Sequence, residues 1–205
     1  MLVMNKYCIY LILKFFYSFI IFSQPDDSFV LLKDIDSTIV QDVRYATTNN
    51  FTGQILYPSA KVYLRKIVAV KLSEANQYLK TYHNLRIKIF DGYRPLSVQK
   101  RMWEILPNAT YVADPKKGSK HNRGAAVDVT LIDSLDNELD MGTPFDDFTK
   151  KSRPSYTNLP EQVLKNRKLL SDTMKKFGFK PITSEWWHFD YKDWKKFPIS
   201  DFPVE

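Results

Sequence analysis

The spacing of apolar and polar positions predicts three helices in this chain. Across residues 60–82, apolar side chains recur every three or four positions, which is typical of one face of an amphipathic helix. A second helix is expected to open at Pro160 and to stop at Gly178, since proline favours a first turn and glycine favours a helix end. A shorter helix is expected over residues 97–106, with Ser97 as its N-terminal cap.

Extended segments are predicted where apolar and polar residues alternate or where short apolar runs end in turn residues. The predicted segments are residues 29–35, 38–45, 85–90, 125–132 and 186–191. Because the better-defined strands follow the first helix, the pattern favours an α+β fold. We expect one domain with a small, mostly antiparallel sheet flanked by helices.

The first residues of the chain have a different composition from the rest. Residues 7–22 are mostly apolar but are interrupted by Lys14, which makes them too short for a confident span of about 20 apolar residues. A secretory signal peptide over residues 1–23 fits better, although an uncleaved membrane anchor is the alternative. We therefore expect a mature domain of residues 24–205 that is periplasmic or secreted and has no stable membrane span.

Cysteine and charge exclude several classes of function. The single cysteine, Cys8, lies in the predicted signal segment, so a mature chain would have neither a disulfide nor a cysteine nucleophile. The net charge is +7 and falls to +5 when Lys6 and Lys14 are removed. The lysines are scattered, and no arginine-rich run interleaves with aromatics, so nucleic-acid binding is not expected. Nothing in the sequence indicates an oligomeric state.

Two of the three histidines lie in short segments that are typical of metalloenzymes. His121 precedes Gly124 and Asp128, and the glycine allows a bend that brings a loop histidine towards a strand aspartate. Asp128 stands in an otherwise apolar strand, where a carboxylate is costly unless it is paired or binds a metal. Taken alone, a surface histidine and a solvent-facing aspartate would be the commoner interpretation.

The second segment supplies another histidine and a spare carboxylate. Glu185 and His188 are three positions apart and flank two tryptophans that could simply be packing residues. In a regular strand such positions face opposite sides, so a shared site requires a bend or bulge. Together the two segments offer two imidazoles and one carboxylate as metal ligands, with one glutamate left as a base. The third histidine, His83, is expected at a helix end with a structural role.

These motifs resemble those of the zinc D-alanyl-D-alanine dipeptidase family, the group that includes VanX-type enzymes. The resemblance extends over almost the whole mature chain, because further landmarks of the family occur in the same order. The landmarks are Tyr45-Ala46-Thr47, Asn50-Phe51-Thr52-Gly53, Asp91-Gly92-Tyr93-Arg94-Pro95, Met141-Gly142-Thr143, Phe145-Asp146 and Asp201-Phe202-Pro203-Val204. The histidine motifs alone would indicate only the wider peptidase group, and the Tyr45, Arg94 and Asp146 segments favour the dipeptidases.

The resemblance implies a division of labour among eight residues. The metal ligands for one zinc ion would be His121, Asp128 and His188, and the catalytic residues would be Glu185 as base and Arg94 as oxyanion stabiliser. The substrate-binding residues would be Tyr45, Ser119 and Asp146, with Asp146 holding the dipeptide's ammonium group. For Arg94 a structural salt bridge to Asp91 stays open, and for Asp146 the neighbouring Asp147 is an alternative.

The implied function is zinc-dependent hydrolysis of the D-alanyl-D-alanine dipeptide, in recycling or turnover of cell-wall material. A murein D,D-carboxypeptidase or endopeptidase on the same scaffold is the alternative enzyme. A non-catalytic zinc-bearing binding module is the alternative of another class.

Overall fold

The computed structural model describes residues 27–205 and builds them around a five-stranded sheet. In chain order the helices and strands are β1 (Phe29–Leu31), α1 (Leu32–Ile35), β2 (Val40–Gln41), β3 (Tyr63–Arg65), α2 (Lys66–His83), β4 (Arg86–Asp91), α3 (Leu96–Ile105), β5 (Ala126–Ile132), α4 (Glu161–Lys176), β6 (Phe179–Pro181) and β7 (His188–Tyr191). Short 3-10 turns lie at Arg44–Ala46, His121–Arg123, Lys150–Ser152 and Trp194–Lys196.

The topology confirms the predicted α+β class and the mostly antiparallel sheet. The strand order is β2-β4-β5-β7-β6, and β1 pairs with β3 in a separate two-stranded sheet. Only β2 and β4 run parallel in the larger sheet, and its other three pairings are antiparallel. Helices α2 and α4 pack on each other and on this sheet, with Val68, Leu72 and Leu170 among their buried side chains.

The sequence pattern predicted the two long helices correctly, but several predicted ends of helices and strands are wrong. Helix α2 begins at Lys66 rather than at residue 60, because Tyr63–Arg65 pairs with β1 as a strand. Residues 29–35 were expected to be extended throughout, but the chain turns into α1 at Leu32. In the predicted segment 38–45 only Val40–Gln41 joins the sheet. Strand β7 begins at His188, two residues later than expected.

The expected capping role of Ser97 is wrong. Pro95 precedes the first residue of α3, and Ser97 lies inside the first turn. Its backbone N–H donates to the carboxylate of Asp201 at 2.8 Å, so a carboxylate from the end of the chain satisfies this helix terminus. Pro160 and Gly178 flank α4 as predicted, and Gly178 has a positive φ of 89°.

Strand register brings the functional positions to one level of the sheet. Asp128 on β5 stands directly opposite His188 on β7. On the other side of β5, an irregularity between Ile89 and Asp91 places Asp91 opposite Asp128. Such a bulge redirects side chains next to it. Three polar side chains therefore meet across three neighbouring strands.

Within residues 27–205, no helix is long and apolar enough to cross a membrane. The predicted signal peptide over residues 1–23 and Cys8 lie outside the described residues.

Candidate active site

The three predicted metal ligands converge on one point. His188 Nδ1 lies 2.9 Å from Asp128 Oδ1 and 3.1 Å from His121 Nε2, and His121 Nε2 lies 3.4 Å from the same Asp128 oxygen. All three residues are buried or nearly so. His121 comes from the 3-10 turn before β5, Asp128 from β5 and His188 from the first position of β7.

The second nitrogen of each imidazole is held by an acceptor. His121 Nδ1 lies 2.6 Å from the carbonyl oxygen of Gly92, and His188 Nε2 lies 2.9 Å from Asp190 Oδ1. In its neutral form each ring would therefore donate outward and turn a lone pair towards Asp128. Fixing the tautomer in this way is the usual task of groups behind metal-binding histidines.

The three converging atoms of His121, Asp128 and His188 are arranged as ligands around a bound cation would be. With both rings neutral, three lone pairs would face one another, which is unfavourable unless a cation or a proton lies between them. In tetrahedral zinc sites with bonds of about 2.0–2.1 Å, ligand atoms are about 3.3 Å apart. The three separations here, 2.9 to 3.4 Å, match that spacing, and the donor set is one that zinc accepts.

In the chain without metal, a proton on His188 supplies the missing charge. Burial alone would lower the pKa of His188, but hydrogen bonds to Asp128 and Asp190 raise that pKa to about 10. The pKa of Asp128 is lowered, because the positive charge and hydrogen bonds of the two histidines outweigh its burial. Proton and metal therefore compete for the same lone pair.

Arg94 lies beside this centre in a buried ion pair. Its Nη2 and Nε lie 2.6 and 3.1 Å from Asp91 Oδ2, and its Nη1 donates to Gln99 Oε1 at 3.0 Å. Burial alone would lower the pKa of Arg94, but the negative charge of Asp91 holds that pKa well above its ordinary value. The salt bridge left open by the sequence is therefore present, and Arg94 lines the cavity as well.

Asp146 also lines the cavity, where two donors hold its carboxylate. Its carboxylate accepts the Tyr45 hydroxyl at 3.2 and 3.3 Å and the Phe51 backbone N–H at 3.2 Å. Burial raises the pKa of Asp146 to about 7, although the Phe51 N–H opposes this shift. Asp147 instead accepts the N–H of Thr149 and, unlike Asp146, does not line the cavity.

Glu185 and Ser119 complete the cavity wall. Glu185 lies in the irregular segment before β7, which meets the requirement for a departure from regular pleating. Burial raises the pKa of Glu185, against the effect of His188. Ser119 accepts the backbone N–H of His121 through its hydroxyl at 3.0 Å, which ties it to the metal-ligand turn.

All eight residues singled out from the sequence line one cavity of about 260 Å³. They are Tyr45, Arg94, Ser119, His121, Asp128, Asp146, Glu185 and His188. Pockets for drug-sized ligands measure roughly 300–1,000 Å³, so this volume suits a smaller molecule. His83 is exposed at the end of α2, against the Tyr78 ring, and does not line this cavity.

Sequence reasoning missed the residues behind the cavity wall. Asp190 orients His188, and its position two residues along the same strand was a usable signal. Gln99 bridges Arg94 and the carbonyl oxygen of Ala113, a contact between separate segments that no local pattern indicates. The same holds for Tyr57, whose hydroxyl donates to Asp91 at 2.7 Å.

Comparison with known proteins identifies the family of this chain. The peptidase M15 family model described as D-ala-D-ala dipeptidase matches residues 26–204. The chain belongs to this family. Among its M15 relatives, the D-alanyl-D-alanine dipeptidase of Escherichia coli (strain K12) is 35% identical over 77% of this chain and 81% of its own length. The D-alanyl-D-alanine dipeptidase of Enterococcus faecium is 28% identical over 86% of this chain and 98% of its own length.

A solved structure is also similar to this M15 chain. VanYB in complex with D-Alanine-D-Alanine is 16% identical, with a TM-score of 0.45, and the match covers 68% of this chain and 77% of that one.

Proposed function

We propose that this chain hydrolyses the D-alanyl-D-alanine dipeptide to two D-alanines in a zinc-dependent reaction. The observation that carries the proposal is one small cavity that is lined both by three converging candidate metal ligands and by the carboxylate of Asp146. Membership of the dipeptidase family and relatives of the same name support it.

One zinc ion would be held by His121, Asp128 and His188. When bound, it supplies a Lewis acid that polarises the peptide carbonyl and makes water a nucleophile at neutral pH. Two neutral imidazoles and one carboxylate leave this centre with a net charge of +1, which suits that task.

Glu185 moves the proton in this mechanism. A carboxylate with a raised pKa takes a proton from the attacking water more readily and can return it to the leaving amine. Glu185 lines the same cavity as His188 and would hold the proton there between the two transfers.

Arg94 stabilises the charge that develops on the carbonyl oxygen. Three of the five guanidinium N–H groups are held by Asp91 and Gln99, so the cation is fixed in place before substrate arrives. Preorganised donors of this kind contribute about 3 kcal/mol to transition-state binding.

The two ends of the dipeptide are recognised by charge and hydrogen bonding. Asp146, supported by Tyr45, pairs with the free ammonium group, and Ser119, which lines the same cavity, binds the other end of the dipeptide. Burial disfavours the ionised form of Asp146, and the positive charge of a bound ammonium group would favour that form again.

A panel of D,D, L,D and L,L dipeptides and a pentapeptide ending in D-Ala-D-Ala tests this function with zinc-loaded protein. We expect D-Ala-D-Ala to have the highest kcat/KM and Glu185→Ala to lose at least about 100-fold in kcat while keeping zinc. Glu104→Ala, a change at an exposed glutamate on α3, serves as the matched control. Preference for the pentapeptide would instead support a murein D,D-carboxypeptidase, and wild-type rates in Glu185→Ala would reject the assigned base.

We also propose that the enzyme acts outside the cytoplasm, in recycling or turnover of cell-wall dipeptide. The apolar segment over residues 7–22, preceded by Lys6, supports export. N-terminal sequencing of the protein from fractionated cells tests this proposal. A start near residue 24 in the exported fraction supports it, and an intact N-terminus in the cytoplasm rejects it.

A further inference from the structure

Four aromatic rings form a continuous wall along one side of the cavity. Tyr45 and Phe51 contact edge to face at 6.2 Å between ring centroids, and Phe51 and Phe148 contact at 5.4 Å. Phe148 then stacks on Tyr111, with 4.6 Å between the centroids and 20° between the ring planes. We call these four residues the aromatic arc.

Two members of the aromatic arc contact the carboxylate of Asp146. Tyr45 donates to that carboxylate through its hydroxyl and Phe51 through its backbone N–H, and Phe148 follows Asp146 by two positions. The arc runs from Tyr45, which is 3% exposed, to Tyr111, which is 38% exposed. It therefore extends from the floor of the cavity to its rim.

Tyr111 is held in place from its own side of the cavity. The Asn108 carbonyl accepts the backbone N–H groups of Tyr111 and Val112, and the Val112 side chain is buried. Gln99 donates to the Ala113 carbonyl oxygen at 2.8 Å, which ties the same loop to α3.

Phe148 is held from the opposite side. Phe145 packs in the core against Phe90 and Trp187, at 4.9 and 5.5 Å between ring centroids. Asp146 has a positive φ of 63°, and Phe148, two positions later, lines the cavity. The stack therefore joins two anchored loops, which would have to separate to admit anything between the rings.

We propose that the Tyr111–Phe148 stack is the element that limits this enzyme to dipeptides, by closing the cavity beside Asp146. This inference rests on the proposed function and names the feature that sets its substrate length. A peptide extended at its amino end replaces the ammonium group at Asp146 with a neutral amide. It also places a further residue where the arc lies.

Substitutions that remove the stack separate the effect of space from the effect of charge, because Asp146 stays intact. We would prepare Tyr111→Ala, Phe148→Ala and the double variant in the full chain. Tyr111→Phe keeps the ring and removes only the hydroxyl. Tyr82→Ala is the matched control, since Tyr82 is 70% exposed and contacts Tyr78 on α2, away from the cavity.

The measurement is the ratio of kcat/KM for L-Ala-D-Ala-D-Ala, cleaved at its last peptide bond, to kcat/KM for D-Ala-D-Ala. We expect this ratio to rise at least tenfold in either alanine variant. The double variant should be no more than threefold above the singles, since both remove one contact. Tyr111→Phe and Tyr82→Ala should keep the wild-type ratio.

An unchanged ratio in both alanine variants, with wild-type zinc content and circular dichroism, would overturn the proposal. If the alanine variants do not fold, Tyr111→Leu and Phe148→Leu keep apolar volume without the stack and carry the same test. Failure of the proposed function would be seen separately, without any variant: the wild-type protein would not hydrolyse D-Ala-D-Ala.

Discussion

Arg94 and Asp91 form a buried ion pair next to the three metal ligands, with Nη2 2.6 Å from the carboxylate oxygen Oδ2. The other Asp91 oxygen accepts the Tyr57 hydroxyl and the Gly92 N–H at 2.7 and 2.9 Å. Asp91 and Gln99 accept three of the five Arg94 N–H groups, so two groups are used by neither residue. The ion pair therefore fixes the guanidinium and still leaves donors for substrate.

We expect Asp91→Asn to lower kcat about 10- to 100-fold, because the donors of Arg94 lose their fixed position. Stability should fall by about 3 kcal/mol, since the variant leaves a buried charge without its partner. Kinetics and urea unfolding of the zinc-loaded protein measure both effects. Tyr57→Phe is the control, because it removes one hydrogen bond to the same carboxylate for about 1 kcal/mol and should leave kcat within about twofold. Unchanged kcat in Asp91→Asn would show that the ion pair is purely structural.

Zinc binding should release about one proton at pH 7. The pKa of His188 in the metal-free chain is about 10, so this ring is charged at neutral pH and must lose a proton to bind metal. Affinity should therefore rise with pH up to about pH 10. Calorimetric titration in buffers with different ionisation enthalpies gives the number of protons directly. A count of zero would mean that His188 is already neutral without metal.

Asp190→Ala should weaken zinc binding about 10- to 100-fold, because it removes the acceptor that fixes the ring of His188. Its second oxygen lies 3.5 Å from Lys120 Nζ, so Lys120 should also gain freedom. Competition with a chelator of known affinity measures the loss. Asp193→Ala is the control. Asp193 lies three positions after Asp190, is 39% exposed and pairs with Lys196, so this variant should bind zinc like the wild type.

The pH dependence of kcat/KM should report on Asp146. Its pKa is about 7, and only the ionised form pairs with an ammonium group, so kcat/KM should rise as pH increases through 7. Above about pH 8 the amino group of the dipeptide loses its own proton, which reverses the trend. In Asp146→Asn the rise near pH 7 should disappear and KM should increase at least about tenfold. A wild-type pH profile in this variant would place ammonium recognition elsewhere.

The same carboxylate makes a separate prediction about stability. Because burial raises the pKa of Asp146 above its ordinary value of 3.8, its contribution to stability is present below pH 3.8 and is lost as pH rises through about 7. Asp146→Asn should therefore lose less stability than the wild type between pH 4 and 8. Thermal unfolding at both pH values measures this difference, and equal losses in the two proteins would contradict the buried position.

Two of the three candidate metal ligands could be singled out from the sequence because each lies in a short segment with a distinctive local pattern. Asp128 stands out as a charge in an apolar strand, and His121 precedes a glycine that signals a turn. In contrast, the pairing of β3 with β1 overrides the helical pattern at residue 63, and that pairing joins segments about thirty residues apart.

Contacts between distant segments also account for what the sequence could not indicate at the site. Gln99 and Ala113 approach because α3 and the following loop fold together, and Tyr111 reaches Phe148 only across the cavity. The roles of the eight site residues follow from the family resemblance, whereas their meeting in one cavity is a property of the fold.

Gly124 provides a test of how backbone conformation positions His121. Its φ is +66°, and a Cβ there would collide with the Phe29 ring and lie 3.2 Å from the Arg65 backbone nitrogen. Gly53 has a similar φ of +64° but open space around it, so Gly53→Ala carries only the conformational cost of about 1–2 kcal/mol. Gly124→Ala should cost about 2 kcal/mol more, because of the added steric clash. It should also weaken zinc binding, since the His121 turn leads into Gly124. Equal unfolding free energies and zinc affinities in the two variants would show that the turn adapts without moving the ligand.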